Sequence, residues 1–316
     1  PPAAWIAAAR LMSRRRYDLV HAHFAVPTGM ASLPPAKIAR IPHILTIHGG
    51  DIFDPSKKMS PHRVALLRWV VTAILRGSKA VVAQSRNTKE NAYRYYGYRG
   101  PIEIIPLGIR QPSFAPATRA ALGLPESVFL AVTVGRLVKR KGLDQLLLAF
   151  ARSECAAFHL VVVGAGPELE PLRAQAASLG IAGRVRFTGR VEEERKWQIM
   201  QACDAYVSAT LHEGFGLVYL EGMAAGLPVV TPDHGGQVDF LREGETGAMV
   251  PAGDIAALAS AVARLAARPD EAKRMGENNR RGAPEHRIEH CAAAYEALYE
   301  RVVRESARGP APRERT

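Results

Sequence analysis

Two glutamates eight residues apart, Glu213 and Glu221, bracket the segment His212-Glu-Gly-Phe-Gly-Leu-Val-Tyr-Leu-Glu221. Two kinds of chemistry fit that spacing. One is hydrolysis at a sugar carbon, with one carboxyl as acid and the other as nucleophile. The other is anion binding: a glycine turn that opens a helix at about Gly216 leaves the N–H groups of Phe215, Gly216, Leu217 and Val218 at a positive dipole end, where a phosphate fits. Glu221 then lies roughly 7.5 Å along the helix at ~1.5 Å per residue, within reach of a group attached to that phosphate. A ribose diol suits a carboxylate with two acceptor oxygens. Glu213, on the preceding loop, faces the other end of the same ligand. On spacing alone a plainer reading stays open, in which Glu213 complements the helix dipole and Glu221 is a solvated helix residue.

Upstream, Val132-Thr-Val-Gly-Arg136-Leu-Val-Lys-Arg-Lys141-Gly142 reads again as strand, glycine turn, basic loop and helix start. Arg136 and Lys141 fall at the C-terminal end of a strand, where open α/β sheets bind ligands, and two fixed cations suit a diphosphate. No Asp-x-Asp occurs in the sequence. Without that clamp for a divalent ion, charge neutralisation falls to Arg136, Lys141 and the helix end, and neither metal nor cofactor is expected.

Other motifs say less. Gly164-Ala-Gly166 begins a dinucleotide fingerprint, but Leu169 stands at the third glycine position, which argues against NAD. His21 and His23 share a strand face with no third metal ligand apparent, so strand-end packing or acceptor contacts are expected of them. His286 and His290 are four apart on an expected helix but lack the glutamate of a zincin motif. Cys155, Cys203 and Cys291 are far apart and are expected to be reduced, buried small hydrophobes.

The elements that must position these residues follow from short β-branched runs alternating with amphipathic stretches, the mark of βα units around parallel sheets. Strands are expected at Asp18–His23, His43–His48, Lys79–Ser85 and Ile102–Pro106. A second series follows at Val128–Val134, His159–Gly164, Val185–Thr188, Ala205–Ala209, Pro228–Thr231 and Ala248–Pro251. Helices are expected from Asp254 to Ala267 and from about Pro284 to Ser306. The proline-rich stretch from Pro106 to Pro125 breaks the rhythm and places a linker near Gly108–Ser113. The expected fold class is α/β with two Rossmann-like doubly wound domains, residues 1–112 and 113–306, the last helix returning to the first domain, and a disordered tail at 307–316.

Composition sets the outer limits. The chain has 316 residues, 47% of them hydrophobic and 23% charged, enough apolar material for real cores and inconsistent with a disordered or fibrous chain. Apolar runs such as Trp69–Leu75 are far shorter than the ~18 residues of a membrane span, and the opening residues lack the plan of a signal peptide, so a cytoplasmic location is expected. The formal charge of +12 favours polyanionic partners: nucleotides, anionic lipid or nucleic acid. No helix-turn-helix, zinc-finger or RNP pattern supports nucleic acid. The basic, tryptophan-bearing helix around Arg63–Arg76 is a candidate contact for the inner face of a membrane.

Taken in order, the Gly-Arg136…Lys141-Gly segment, Val161-Val-Val-Gly-Ala-Gly-Pro167, Val185-Arg-Phe-Thr-Gly189, the Glu213…Glu221 pair, Ala224-Ala-Gly-Leu-Pro228, Gly235-Gly236 and Thr246-Gly-Ala-Met-Val-Pro-Ala-Gly-Asp254 resemble the retaining nucleotide-sugar glycosyltransferases of family 4. Asp18-Leu-Val-His-Ala-His23 and Thr46-Ile-His-Gly-Gly-Asp51 resemble that family's acceptor-domain strands. The resemblance implies a GT-B fold in which the C-terminal domain holds a nucleoside-diphosphate sugar and reaction occurs in the interdomain cleft. It implies Glu221 on the ribose, Arg136 and Lys141 on the diphosphate, Glu213 and the backbone from Phe215 to Val218 on sugar and phosphate, Arg190 and Val191 beside the base, and His48 on the donor sugar. A glycan or lipid-linked acceptor of cell-envelope or exopolysaccharide synthesis, and front-face displacement without a metal, are implied as well. Family members normally begin with a strand and glycine-rich loop upstream of the segment matching Asp18–His23, so the first domain is expected to be incomplete. The alternatives are a nucleotide-sugar-binding fragment without turnover and another GT-B enzyme, such as a sugar-nucleotide epimerase or a phosphorylase.

Overall fold

The computed structural model describes residues 2–111 and 113–307. They form two compact α/β units, one built from 2–107 with 288–307 and the other from 108–287.

In the first unit β1 (Val20–His23), β2 (His43–Ile47), β3 (Ala80–Ala83) and β4 (Glu103–Ile104) lie parallel in the order β1-β2-β3-β4, with helices α1 (Pro2–Arg14), α2 (Met30–Ile38), α3 (Ala65–Gly77) and α4 (Arg86–Tyr96). Every residue of β2 is buried, as a strand covered on both faces requires. Alternate residues serve opposite faces. Leu45 and Ile47 pack with Leu33, Val71, Ile74 and Leu75, whereas Ile44 joins Val82 and Ile105 in a separate cluster. Ser85 caps α4 by accepting from the Thr88 N–H at 3.1 Å, and Gly97 ends it in the left-handed region, a start and stop both written in the residue types.

In the second unit β5 (Leu130–Val134), β6 (His159–Val163), β7 (Val185–Gly189), β8 (Ala205–Val207), β9 (Val229–Pro232) and β10 (Gly247–Val250) are parallel in the order β10-β9-β8-β5-β6-β7. The connecting helices are α5 (Arg119–Leu122), α6 (Leu143–Phe150), α7 (Leu169–Ser178), α8 (Glu193–Gln201), α9 (Leu217–Ala224), α10 (Ile255–Ala267) and α11 (Pro269–Gly282). The chain winds outward from β5 to β7, returns to lay β8 against the other side of β5, and winds outward again. The crevice at the carboxyl ends of β5 and β8 is therefore the topological switch point, where open α/β sheets take their ligands.

Two corrections apply to the expected elements. Helix α11 stands in a stretch assigned no element; its polar composition hid it, although Pro269 at its start, Asp270 and Glu271 in its first turn and Arg280 and Arg281 in its last are the residues a helix favours at those places. The second unit, 108–287, also starts earlier than the expected range 113–306 and ends before its last helix, the one expected to return to the first domain. The last helix, α12 (Ile288–Ala307), groups with the first unit, its Tyr295, Leu298 and Val302 packing on Ile44, Val82 and Ile105. Of the expected linker, Pro112 lies outside the described residues, as does the expected tail from 308 onward.

Loop geometry at the switch point depends on glycine. A Cβ on Gly164, where φ is +138°, would sit 1.9 Å from the carbonyl oxygen of Gly135, and one on Gly142 (φ +61°) would sit 2.0 Å from that of Ala209. Both are contacts with backbone, which cannot rotate away. We therefore expect Gly164→Ala to destabilise the second unit by about 3 kcal/mol. Hydrogen exchange should show the loss in β5 and β6 while β1 to β3 keep their protection; unchanged protection would mean that these loops yield.

Candidate functional site

The loop after β5 carries the first cations to the switch point. Gly135, Arg136 and Lys141 line a small pocket there with Tyr206 and Ser208 from β8 and its loop. The turn Lys139–Lys141 closes on Gly142, and the Arg140 carbonyl accepts from the Leu211 N–H at 2.8 Å and from the Thr210 hydroxyl at 3.2 Å. Those bonds lock the β5 and β8 loops together. As a result Lys141 Nζ donates to Glu213 Oε2 at 2.5 Å, and an Arg140 nitrogen stands 4.0 Å from Glu213 Oε1. Glu213 is buried, and its own carbonyl accepts from the Gly236 N–H at 2.8 Å. The Gly235-Gly236 turn thus braces the same loop from the β9 side.

Helix α9 begins directly after this loop. Gly216 takes φ +96° as its N-cap, and no side chain caps the first turn, which leaves the donors at Leu217 and Val218 to an external acceptor. Phe215 is buried against Phe240 with ring centroids 5.3 Å apart, and the Tyr219 hydroxyl donates to Ser208 Oγ at 3.0 Å, so the turn is held from both sides. Glu221 lies one turn further on. Its Oε1 accepts from Lys196 Nζ of α8 at 2.8 Å, and Lys196 also reaches Glu193 at 2.7 Å. Burial pushes the Glu221 carboxyl above its ordinary range while Lys196 pulls against the rise. The Lys196 ammonium is itself held high: burial works against its charge, but Glu193 and Glu221 outweigh that.

Within this unit the structure gathers Arg136, Lys141, Glu213 and the 215–218 turn at the ends of β5 and β8, with Glu221 one turn along α9. Arg190 and Val191 follow β7, two strands from β5 and so roughly 10 Å across the sheet; Arg190 is exposed and Val191 half-buried. Sequence reasoning passed over Arg140, Lys196, Ser208 and Tyr219. Only Lys196 left a local signal, its i,i+3 spacing from Glu193 on a helical stretch.

His48 belongs to the first unit, just past β2, and both its ring nitrogens are engaged. Nε2 meets His23 Nδ1 at 3.0 Å, and Nδ1 lies in close contact with Gln84 Nε2. Beside it, His21 bonds Tyr299 at 2.7 Å and Thr46 at 2.8 Å. Asp51 anchors the loop by accepting from the N–H of Ala25 at 2.7 Å and that of His48 at 2.8 Å. Among the described residues no three His, Cys, Asp or Glu side chains are placed to hold a metal. His286 and His290 do not share a helix, since His286 ends the turn Ala283–His286 and His290 lies in α12. Nor are all three cysteines buried: Cys155 and Cys203 are, and Cys291 is half-buried.

The sequence matches the family profile of glycosyl transferases group 1 over residues 115–282 and that of glycosyltransferase family 4 over residues 1–110. It is 34% identical over 171 residues to the lipopolysaccharide core biosynthesis glycosyltransferase LpsE of Rhizobium meliloti, covering 54% of this chain and 49% of that protein. It is 30% identical over 286 residues to a GDP-mannose-dependent alpha-(1-6)-phosphatidylinositol monomannoside mannosyltransferase of Mycobacterium tuberculosis, covering 86% of this chain and 72% of that one. Among solved structures, sucrose-phosphate synthase from Thermosynechococcus elongatus superposes with a TM-score of 0.83 at 26% identity, over 95% of this chain and 77% of that chain. The chain spans about half the length of several curated relatives it matches.

The first unit's histidines give it a defined acid response. Burial, reinforced by neighbouring histidines, lowers His21 and His48 to about 4, and burial with Lys37 nearby does the same for His43. In the unfolded chain these groups take up protons near 6.5. Between about pH 6.5 and 4 the unfolded state therefore binds more protons, and stability falls as pH falls. Asp51, raised to about 6 by burial, acts the other way: its folded form takes a proton before its unfolded form does, offsetting one of the three. We expect amide protection in β1 to β3, corrected for intrinsic exchange, to be lower at about pH 5 than at about pH 7. Equal protection at both would contradict the buried, neutral state of these rings.

Proposed function

The chain belongs to the glycosyl transferases of group 1, with a family 4 domain in its first part and the GT-B fold, and we propose that it transfers a sugar from a nucleoside diphosphate to a hydroxyl acceptor with retention at the sugar carbon. The observation that carries this reading is the switch-point cluster, in which Arg136 and Lys141 line a pocket at the end of β5, Lys141 is paired with Glu213 on the loop that leads into the uncapped start of α9, and Glu221 follows one turn along that helix. In this assignment the diphosphate lies against Arg136, Lys141 and the N–H groups of Phe215, Gly216, Leu217 and Val218. Glu221 accepts from the ribose hydroxyls. Arg190 and Val191 border the base, and Glu213 serves the donor sugar. During transfer the bond from the sugar carbon to the diphosphate breaks, the acceptor oxygen bonds that carbon on the same face, and its proton passes to the departing diphosphate. The two cations meet the charge that grows on the leaving group, so no metal or other cofactor is assigned. The acceptor is a glycan or a lipid-linked acceptor of cell-envelope or exopolysaccharide synthesis, a reading supported by relatives named as a lipopolysaccharide core biosynthesis glycosyltransferase and a phosphatidylinositol monomannoside mannosyltransferase.

Arg136→Ala and Lys141→Ala should lower kcat about a hundredfold while weakening donor binding far less. Turnover should survive EDTA. Equal losses in binding and rate would reduce both cations to ground-state anchors, EDTA sensitivity reversed by Mg²⁺ would restore a metal, and donor binding without any transfer would favour a binding chain without turnover.

We further propose that the first unit works at the inner, cytoplasmic face of a membrane. No helix among the described residues is long and apolar enough to cross one. Helix α3 buries Val71, Ile74 and Leu75 and turns Leu66 and Trp69 outward, each 69% exposed. From Lys57 to Lys79 the chain carries six Lys and Arg and no Asp or Glu. Apolar side chains ringed by cations suit anionic lipid. In sedimentation with liposomes, binding should require anionic lipid, weaken with salt and drop on Trp69→Ala; binding that ignores lipid charge, or none, would rule the surface out.

A further inference from the structure

The structure assigns to Lys196, which no sequence motif singled out, the role of positioning residue for Glu221: it holds the carboxylate ionised and aimed, and through it sets the affinity for the nucleoside part of the donor. The assignment rests on the reading of Glu221 as the ribose ligand.

A carboxylate accepts two hydroxyl protons only in its ionised form, and Glu221 sits where ionisation is opposed. Burial raises its carboxyl pKa, and Glu193, on the neighbouring helix, raises it further. Among the described residues the group that favours the charge is Lys196, through a 2.8 Å hydrogen bond and the charge itself. Tyr206 of β8 also feels the Glu221 charge, but burial keeps its phenol protonated far above the neutral range. Among the described residues the titratable groups acting on Glu221 are thus one cation, one anion and one neutral phenol.

Geometry adds a second constraint. Lys196 bonds Oε1, which anchors that oxygen and leaves Oε2 outside the pair. Lys196 is itself steered from the other side by Glu193 at 2.7 Å, and its side chain is only 14% exposed, so it does not swing freely into solvent. An ammonium on a flexible stem is an adaptable point charge; here two carboxylates remove that freedom. The segment Glu193-Glu-Arg-Lys196 of α8 therefore acts on the nucleotide without touching it.

The test is calorimetric binding of UDP, GDP and ADP to the full chain at several pH values between about 5.5 and 8.5. Wild type, Lys196→Met, Lys196→Arg, Glu221→Gln and the Lys196→Met/Glu221→Gln double variant are compared, each checked by thermal melting. Wild type should bind at least one nucleotide with little change across this range. Lys196→Met should bind about tenfold more weakly near pH 6 and recover toward pH 8.5, because loss of the lysine moves the Glu221 carboxyl upward into the range. Lys196→Arg should restore most of the affinity and the flat profile. Glu221→Gln should be weak at every pH, and the double variant no weaker than Glu221→Gln alone, since the lysine acts only through the glutamate. A flat profile for Lys196→Met, or a double variant weaker by both losses together, overturns the role of Lys196 while leaving the ribose ligand standing. Full affinity in Glu221→Gln, or no nucleotide binding by wild type, removes the ribose reading and this assignment with it. Should Lys196→Met not fold, Lys196→Gln, which keeps the polar stem without the charge, carries the same pH test.

Discussion

Contact between backbones, without side chains between them, sets the tolerances of the second unit. Neighbouring strands in a parallel sheet are only about 4.8 Å apart, so the loops leaving β5 and β6 at the same end must pass each other at once. They do so where Gly164 meets the Gly135 carbonyl. The β5 loop then turns back at Gly142 against the Ala209 carbonyl, while the Arg140 carbonyl takes its bonds from Leu211 and Thr210. Lys141 arrives on Glu213 because the two loops that carry them are already joined. The ion pair is a consequence of the glycines before it is a feature of the chemistry.

The same packing decides how charge is distributed. Burying a carboxylate is costly unless a partner comes with it, and each glutamate of the pair has a lysine: Lys141 for Glu213 and Lys196 for Glu221. Both lysines come from other segments, the β5 loop and α8. Glu213 faces both Lys141 and Arg140, so the excess of positive charge at the end of β5 is shared by these two cations, Arg136 and the first turn of α9. The site is thus preorganised in charge, and under the proposed function Lys141 would share its donors between Glu213 and a phosphate without having to travel.

The strands and the order of the motifs were legible because each rests on a local signal: β-branched runs, glycine turns and basic loops at strand ends. All ten strands fall where those runs stand, and α9 lies within the stretch from Gly216 to Ala225. Pairings between distant segments left no such trace. Nothing in the spacing of Glu221 announces Lys196 twenty-five residues earlier, and the order β10-β9-β8-β5-β6-β7 is needed before Arg190 can be placed two strands from Arg136. Helix α11 failed for the opposite reason. Its end signals were present, but without an apolar stripe to connect them they read as loop, and its buried Asn279 side chain, which donates to the carbonyls of Leu227 and Thr246 at 2.7 Å, does work that a hydrophobic pattern cannot reveal.

The first unit depends on the end of the chain in a way no local reading reaches. Tyr295 bonds Thr46 across 249 residues and Tyr299 bonds His21 across 278, and between them α12 covers the face of the sheet that Ile44 and Val82 present. The whole of 108–287 is inserted between the two parts of this unit. Such an insertion is tolerable because closure entropy grows only slowly with loop length, by about 0.6 kcal/mol per doubling, and because an inserted domain whose ends are close barely separates the flanking segments. The second unit meets that condition within itself: Ile109 N–H donates to the His286 carbonyl at 2.9 Å, and Ile109 pairs with Arg287 as an isolated parallel bridge. Once folded, it delivers its exit beside its entrance. The two parts of the first unit are therefore joined through chain ends that meet within the insertion, and α12 follows at Ile288 directly after that meeting point.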